Sequence, residues 1–227
     1  MEKLKIILTG STGMVGEGVL HECLHSDLVS EVLVVNRKPC GYTHNKLREL
    51  ILPDFFNIES IKAEFSAYNC CLFCLGVSSV GMNEADYTKM TYDLTLNFAK
   101  VLSEVNKDMT FSYISGAGTD STEKGRMMWA RVKGKTENDL KKLGFRKVYN
   151  FRPGMLKPTP GLKNTLKYYK YVGWLYPVLK LIAPGTASTL AELGQSMIRC
   201  SYYHYGSDTL EVRQIIETSK LNHSEKQ

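Results

Sequence analysis

The chain has 227 residues, 43% of them hydrophobic and 23% charged, a balance suited to one globular domain and unlike that of a disordered or fibrous chain. Its formal net charge of +6 comes from basic residues spread along the sequence, with no basic arm or zinc-finger spacing, which speaks against a nucleic-acid-binding class. No run approaches the roughly 20 apolar residues that span a bilayer, and the opening Met-Glu-Lys-Leu-Lys has neither the apolar stretch nor the cleavage site of a secretory signal.

Leu4–Leu8 is a short apolar run ending at Thr9-Gly10, the pattern of a buried parallel strand. Val15, Val19, Leu20 and Leu24 then mark one face of a helix reaching about His25. Glu31–Asn36 reads as a second strand closed by Arg37-Lys38-Pro39, and Leu47–Leu52 as a third closed by Pro53-Asp54. Ile58–Phe65 is a helix candidate, and Cys70–Leu75 a fourth strand stopped by Gly76. Leu94, Phe98, Val101 and Leu102 support a helix over Ala85–Val105. Thr110–Ser115 is the fifth strand, Trp129–Leu143 a helix, and Phe145–Phe151 a sixth strand ending at Arg152-Pro153-Gly154.

Leu162–Ile182 mixes bases with aromatics (Lys163, Lys167, Tyr168, Tyr169, Lys170, Tyr171, Trp174, Tyr176) and is broken by Gly173 and Pro177. That pattern suits a lid or packing helix better than a membrane-surface helix. Thr189–Cys200 reads as a helix, Thr209–Ile216 fits either a strand or a short helix, and Leu221–Gln227 look frayed. Strands and helices alternating in this way require crossover connections. The expected fold is therefore an α/β, Rossmann-like, doubly wound parallel sheet with helices on both faces. One domain is expected over 1–227, with residues from about 155 onward forming a small substrate-side extension.

Three of the six cysteines, Cys70, Cys71 and Cys74, share one apolar run, which suggests reduced, buried thiols in a cytoplasmic protein. Cys71 and Cys74 have C-x-x-C spacing, but side chains three apart in a strand face opposite sides of the sheet, so no metal site is expected.

Gly10-Ser11-Thr12-Gly13-Met14-Val15-Gly16 falls between the first strand and the first helix. Its spacing is G-x-x-G-x-x-G, and the physics is that of a dinucleotide turn. Gly10 lets the chain leave the strand tightly, Gly13 lets backbone approach a pyrophosphate, and Gly16 lets the helix pack on the sheet. The helix then aims its free amide N–H groups at the phosphates. A nucleoside-triphosphate loop would end in Gly-Lys-Ser/Thr, and here Gly16-Glu17-Gly18 stands instead. The second strand ends in Asn36-Arg37-Lys38, without the acidic residue that bonds ribose hydroxyls in NAD sites. Arg37 and Lys38 could hold a 2′-phosphate, which favours NADP(H) over NAD(H); otherwise they are exposed loop charges. Asp54 could contact the adenine or be a turn residue.

Leu8–Gly16, Cys74-Leu75-Gly76, Tyr113-Ile114-Ser115-Gly116-Ala117, Val132-Lys133-Gly134-Lys135-Thr136-Glu137 and Phe151-Arg152-Pro153-Gly154 recur in one order. In these stretches the chain resembles the atypical short-chain dehydrogenase/reductase superfamily, in the subgroup of the Tat-interacting-protein oxidoreductase and its bacterial relatives. The resemblance implies bound NADP(H), with Leu75, Gly76, Lys133, Pro153 and Gly154 also at the cofactor. It implies a C-terminal segment covering the substrate, an unidentified small carbonyl compound, in a monomer or homodimer. It also implies a catalytic Ser–Tyr–Lys set, which places Ser115 and Lys133 in the Ser and Lys roles.

The Tyr of that set belongs one helical turn before the Lys, where this chain has Trp129. An indole N–H donates but has no acid/base chemistry near neutrality, so Trp129 cannot act as the general acid. Three readings stay open. The protein binds NADP(H) without carbonyl reduction, as a regulatory or partner-binding protein; another group such as Tyr87, Tyr92 or Tyr113 supplies the proton; or the acceptor takes its proton from Lys133 or water.

Overall fold

In the computed structural model, which describes residues 2–165, 176, 182–183 and 185–222, the glycine turn joins β1 (Leu4–Thr9) to α1 (Met14–His25). There follow β2 (Val29–Asn36), β3 (Leu47–Ile51), a 3₁₀ segment (Phe55–Phe65), β4 (Cys70–Phe73), α2 (Glu84–Thr88), α3 (Leu94–Val105) and β5 (Thr110–Ile114). Next come α4 (Met128–Leu140), β6 (Lys147–Arg152) and the short strands β7 (Met155–Lys157) and β8 (Ala187–Thr189). The last elements are α5 (Leu190–Tyr203), β9 (Thr209–Glu211) and α6 (Val212–Thr218).

Seven strands form one sheet in the order β3-β2-β1-β4-β5-β6-β9, every neighbour parallel, and β7 pairs with β8 apart from it. The chain winds outward from β1 in one direction and from β4 in the other. Their following loops diverge, leaving the crevice at the carboxyl ends where such sheets bind ligands. The expected Rossmann-like sheet in a single domain is thus borne out.

Side chains alternate across β1, so Ile6 and Leu8 enter the core under α1 and α5 while Ile7 enters the one under α3. The helix α1 lies unusually close to α5. A Cβ on Gly18 would come within 2.9 Å of Leu190, and one on Gly194 within 2.7 Å of Glu22. A capping box, in which Thr189 and Glu192 serve each other's backbone N–H, starts α5.

Several expected elements are corrected. Phe55, Ile58 and Ile61 recur every third residue and pack into the core, which matches the period of a 3₁₀ helix better than the α-helix expected over Ile58–Phe65. The helix expected over Ala85–Val105 is interrupted by a π turn, Lys89–Asp93; its apolar spacing began at Leu94, where the regular α3 begins. Thr209–Ile216 is both alternatives in turn, since β9 joins the sheet edge beside β6 and runs directly into α6. Leu221 is not frayed: it is buried, and its carbonyl accepts from Arg199 at 2.6 Å. Most of Leu162–Ile182 lies outside the described residues. Among the described residues no helix is long and apolar enough to cross a membrane.

Candidate functional site

The crevice at the β1 and β4 ends is built on the glycine turn. Gly10 has φ +75°, and a Cβ there would sit 2.7 Å from the Cys74 carbonyl oxygen, so the two diverging loops touch. A Cβ on Gly16 would sit 2.1 Å from the Gly10 carbonyl oxygen, which shows how tightly α1 presses on the turn. Gly13 is exposed at the N-cap of α1, and a Cβ there meets nothing nearer than Gly10 O at 3.5 Å. The fold itself does not require glycine at 13. Thr12 is also exposed, while Met14 and Val15 are half-buried.

Ser11 and Asn36 join this turn to the end of β2. The Asn36 amide donates to Ser11 Oγ at 2.7 Å and to Glu49 Oε1 at 3.1 Å, and Glu49 Oε1 also accepts from the Cys40 N–H at 2.8 Å. Beyond Asn36, the exposed Arg37 and Lys38 line a cavity of about 610 Å³ together with Thr12, Cys40, Lys163 and Asn164. Among the described residues no carboxylate forms an ion pair with Arg37, Lys38 or Lys163. Asp54 does not line this cavity; its carboxylate accepts from the Phe56 N–H at 2.9 Å and caps the 3₁₀ segment.

Two residues here were not foreseen from the sequence. Glu17, 1% exposed in the first turn of α1, accepts from the backbone N–H of Lys163 at 2.8 Å, from that of Asn164 at 2.7 Å and from the Tyr42 hydroxyl. Burial, reinforced by Glu17, pushes the Tyr42 phenol up to about 12. Lys163 Nζ reaches the Gly41 carbonyl at 2.9 Å and lies over the Tyr42 ring.

On the β4 side, the Leu75 N–H donates to Thr9 Oγ1 at 3.2 Å, and nothing lies within 4 Å of a Cβ added at Gly76. Cys71 and Cys74 pack into opposite cores, as the alternation of a strand requires. Among the described residues no cluster of His, Cys, Asp and Glu could hold a metal ion.

Ser115 follows β5, and Lys133 lies on α4 within reach of it. Lys133 Nζ donates to the Ser115 carbonyl, and burial lowers the amine to about 8, with Glu137 opposing the shift. The Ser115 hydroxyl turns the other way and donates to Glu137 at 2.5 Å. Glu137, 2% exposed, is gripped by Arg152 through Nε at 3.0 Å and Nη2 at 2.5 Å. Trp129 is half-buried in the first turn of α4, its ring edge 3.6 Å from where a Cβ on Gly118 would stand. Tyr87 and Tyr113 are 1% and 2% exposed, and Tyr92 donates to Asp139 at 2.7 Å. Pro153 and Gly154 bind loops together: the Pro153 carbonyl accepts from Ala117 N–H at 2.9 Å, and a Cβ on Gly154 would meet Thr186 O at 2.2 Å. Glu137 had a sequence signal, lying one turn after Lys133, whereas nothing local announced Lys163.

No family model matches the chain. Its sequence is 23% identical to the HTATIP2 protein of Rattus norvegicus over 159 residues, 69% of this chain and 64% of that protein. It is 29% identical to the mitochondrial protein fmp52-2 of Aspergillus terreus over 153 residues, 65% of each. The chain thus spans just under two thirds of the length of these relatives. Among solved structures, the Helicobacter pylori ADP-L-glycero-D-manno-heptose-6-epimerase superposes with TM-score 0.68 at 13% identity, over 96% of this chain and 81% of that one. Gluconobacter frateurii L-sorbose reductase, solved with NADPH, gives 0.65 at 12%, over 92% and 94%. Bordetella bronchiseptica WbmH, solved with NAD+, gives 0.65 at 13%, over 94% and 79%. At these identities the likeness is one of fold.

The fmp52 relatives are named as mitochondrial proteins, which overturns the cytoplasmic placement drawn from the cysteines. Buried thiols stay reduced in any reducing compartment and so do not tell one from another. In sequence and in fold alike, the chain resembles the atypical short-chain dehydrogenase/reductase superfamily, with its sequence likeness in the HTATIP2 and FMP52 proteins.

Proposed function

We propose that this chain binds NADP(H) at the crevice between the β1 and β4 loops and acts as a cofactor-responsive regulatory or partner-binding protein, without tyrosine-driven carbonyl reduction. The observation that carries the cofactor is the cavity beside the glycine turn, lined by Thr12, Arg37 and Lys38, with no carboxylate among the described residues paired to either cation. The residues fit the group. Gly13 leaves the backbone open to a pyrophosphate, the free N–H groups of α1 face it, and unpaired cations suit a 2′-phosphate. Two carboxylates beside the cavity are already engaged, Glu49 by Asn36 and Cys40 and Glu17 by the backbone of Lys163 and Asn164.

A nicotinamide bound there supplies hydride chemistry. What this chain lacks is the proton. Trp129 has no acidic proton to give, and the Ser115 hydroxyl is already donated to Glu137. Residues from about 155 onward would then cover the ligand side of the crevice.

Titration of thermal stability with NADP+ and NAD+ tests the binding, because a ligand held only by the folded state stabilises it. NADP+ is expected to raise Tm more than NAD+, and Arg37→Ala to narrow the difference. No shift with either ligand would remove the proposal. NADPH oxidation over a panel of small carbonyls is expected to be absent in the natural chain and to appear in Trp129→Tyr.

One observation favours a second reading. With its pKa near 8, the Lys133 ammonium can itself give up a proton near neutrality. Turnover by the natural chain that disappears in Lys133→Met would select that reading, a reductase using Lys133 as acid.

A further inference from the structure

The basic cavity has a wall that comes from the far end of the chain. Thr12, Arg37 and Lys38 belong to the β1 and β2 ends, but Lys163 and Asn164 arrive after β7. They are held there by Glu17, a carboxylate 1% exposed whose hydrogen bonds run to the two backbone N–H groups and the Tyr42 hydroxyl. Its negative charge also lies in the first turn of α1, where the helix dipole favours it. Because Glu17 grips backbone, the Lys163 ammonium stays free of it. Among the described residues that ammonium rests on neutral groups, the Gly41 carbonyl and the Tyr42 ring.

We infer that Lys163 is the third cation of a phosphomonoester subsite that reads the adenosine 2′-phosphate, and that Glu17 is the positioning residue that sets it there. The inference rests on the NADP(H) reading and deepens it. Three cations and the Thr12 hydroxyl around one cavity match a phosphate dianion, which accepts several charge-assisted hydrogen bonds at once. A bare ribose would ask instead for an acceptor at the β2 end, and the Asn36 carbonyl there already accepts from the Ser11 hydroxyl at 3.1 Å. Specificity is thereby divided between a local source, Arg37 and Lys38, and a distant one.

Calorimetric binding of 2′,5′-ADP and 5′-AMP isolates the 2′-phosphate, using the full chain and its Arg37→Ala, Lys163→Ala, Lys163→Gln and Glu17→Gln variants. Lys163→Ala and Lys163→Gln are expected to weaken 2′,5′-ADP about tenfold and leave 5′-AMP unchanged. Glu17→Gln should weaken 2′,5′-ADP selectively and lower the salt dependence of its binding, a change that mere loss of packing would not produce. Unchanged 2′,5′-ADP affinity in both Lys163 variants, with a loss in Arg37→Ala, would overturn the inference and leave the NADP(H) reading standing. Equal losses for both ligands in Glu17→Gln would overturn its positioning role. No preference for 2′,5′-ADP over 5′-AMP in the natural chain would overturn the NADP(H) reading, and this inference with it.

Discussion

A methyl group added at Gly16 would sit 2.1 Å from the Gly10 carbonyl oxygen, whereas at Gly13 it meets nothing nearer than 3.5 Å. The two glycines therefore serve different ends, the first the packing of α1 and the second access to the crevice. Gly16→Ala is expected to destabilise the protein by about 3 kcal/mol in urea unfolding, the upper range for overpacking. Gly13→Ala should unfold within about 0.5 kcal/mol of the natural chain, as surface changes do. It should nonetheless bind NADP+ about tenfold more weakly by calorimetry, a loss of about 1.4 kcal/mol.

Lys133 carries a second prediction at this scale. Its folded pKa, about 8, lies below the ordinary lysine value of 10.5, so between those values the unfolded chain holds the proton that the folded one has released. Stability contributed by Lys133 therefore rises with pH through this window, and its burial penalty is complete below pH 8. Lys133→Met should flatten that rise, which unfolding series from about pH 7.5 to about pH 11, spanning both values, would measure.

Between elements, the Ser115–Glu137–Arg152 network fastens β5, α4 and β6, and Arg152 also reaches Glu211 at the start of α6. Glu137→Gln leaves the Arg152 guanidinium without its buried partner and should cost about 3 kcal/mol in urea unfolding. Adding Arg152→Met should cost less than the sum of the two single changes, because each alone strands a polar partner. Thr189→Ala, which removes one half of the α5 capping box, should cost about 1 kcal/mol by the same measurement. What the sequence reading reached at this scale was what one element's own pattern dictates. The apolar stripe of α3 was legible because burial recurs at helical spacing, and the runs of β1 and β2 because strands buried on both faces are apolar almost throughout. The 3₁₀ period at Phe55, Ile58 and Ile61 was present but masked by an assumed α-helix, and β7 and β8 are too short for any period.

Across the molecule, the doubly wound parallel sheet follows from the alternation of strands and helices and could be read without coordinates, as could the glycine turn with Arg37 and Lys38 after the second strand. Lys163 could not. Its place at the cavity depends on a hydrogen bond from its own backbone to Glu17, 146 positions earlier, and any residue with an N–H could have made that bond. Glu137 was visible one turn after Lys133, but its bond to Ser115 was not, because the sequence does not show that this carboxylate is buried.

That reach has a consequence for how the protein is made. The helix α1 lies early in this sequence, yet residues 163–164 and α5, which pack against it, come much later. Gly194 packs on Val19 and Glu22, Gln195 bonds Glu22 at 2.7 Å, and residues 163–164 close over Glu17. A growing chain must therefore carry this side of α1 uncovered until α5 has been made. Such exposure invites association with other chains, and closing so long a loop slows folding. The N-terminal end of the helix becomes a finished surface only once residues 163–164 have closed over Glu17, so a ligand that prefers the finished surface would also act as a late brake on misassembly.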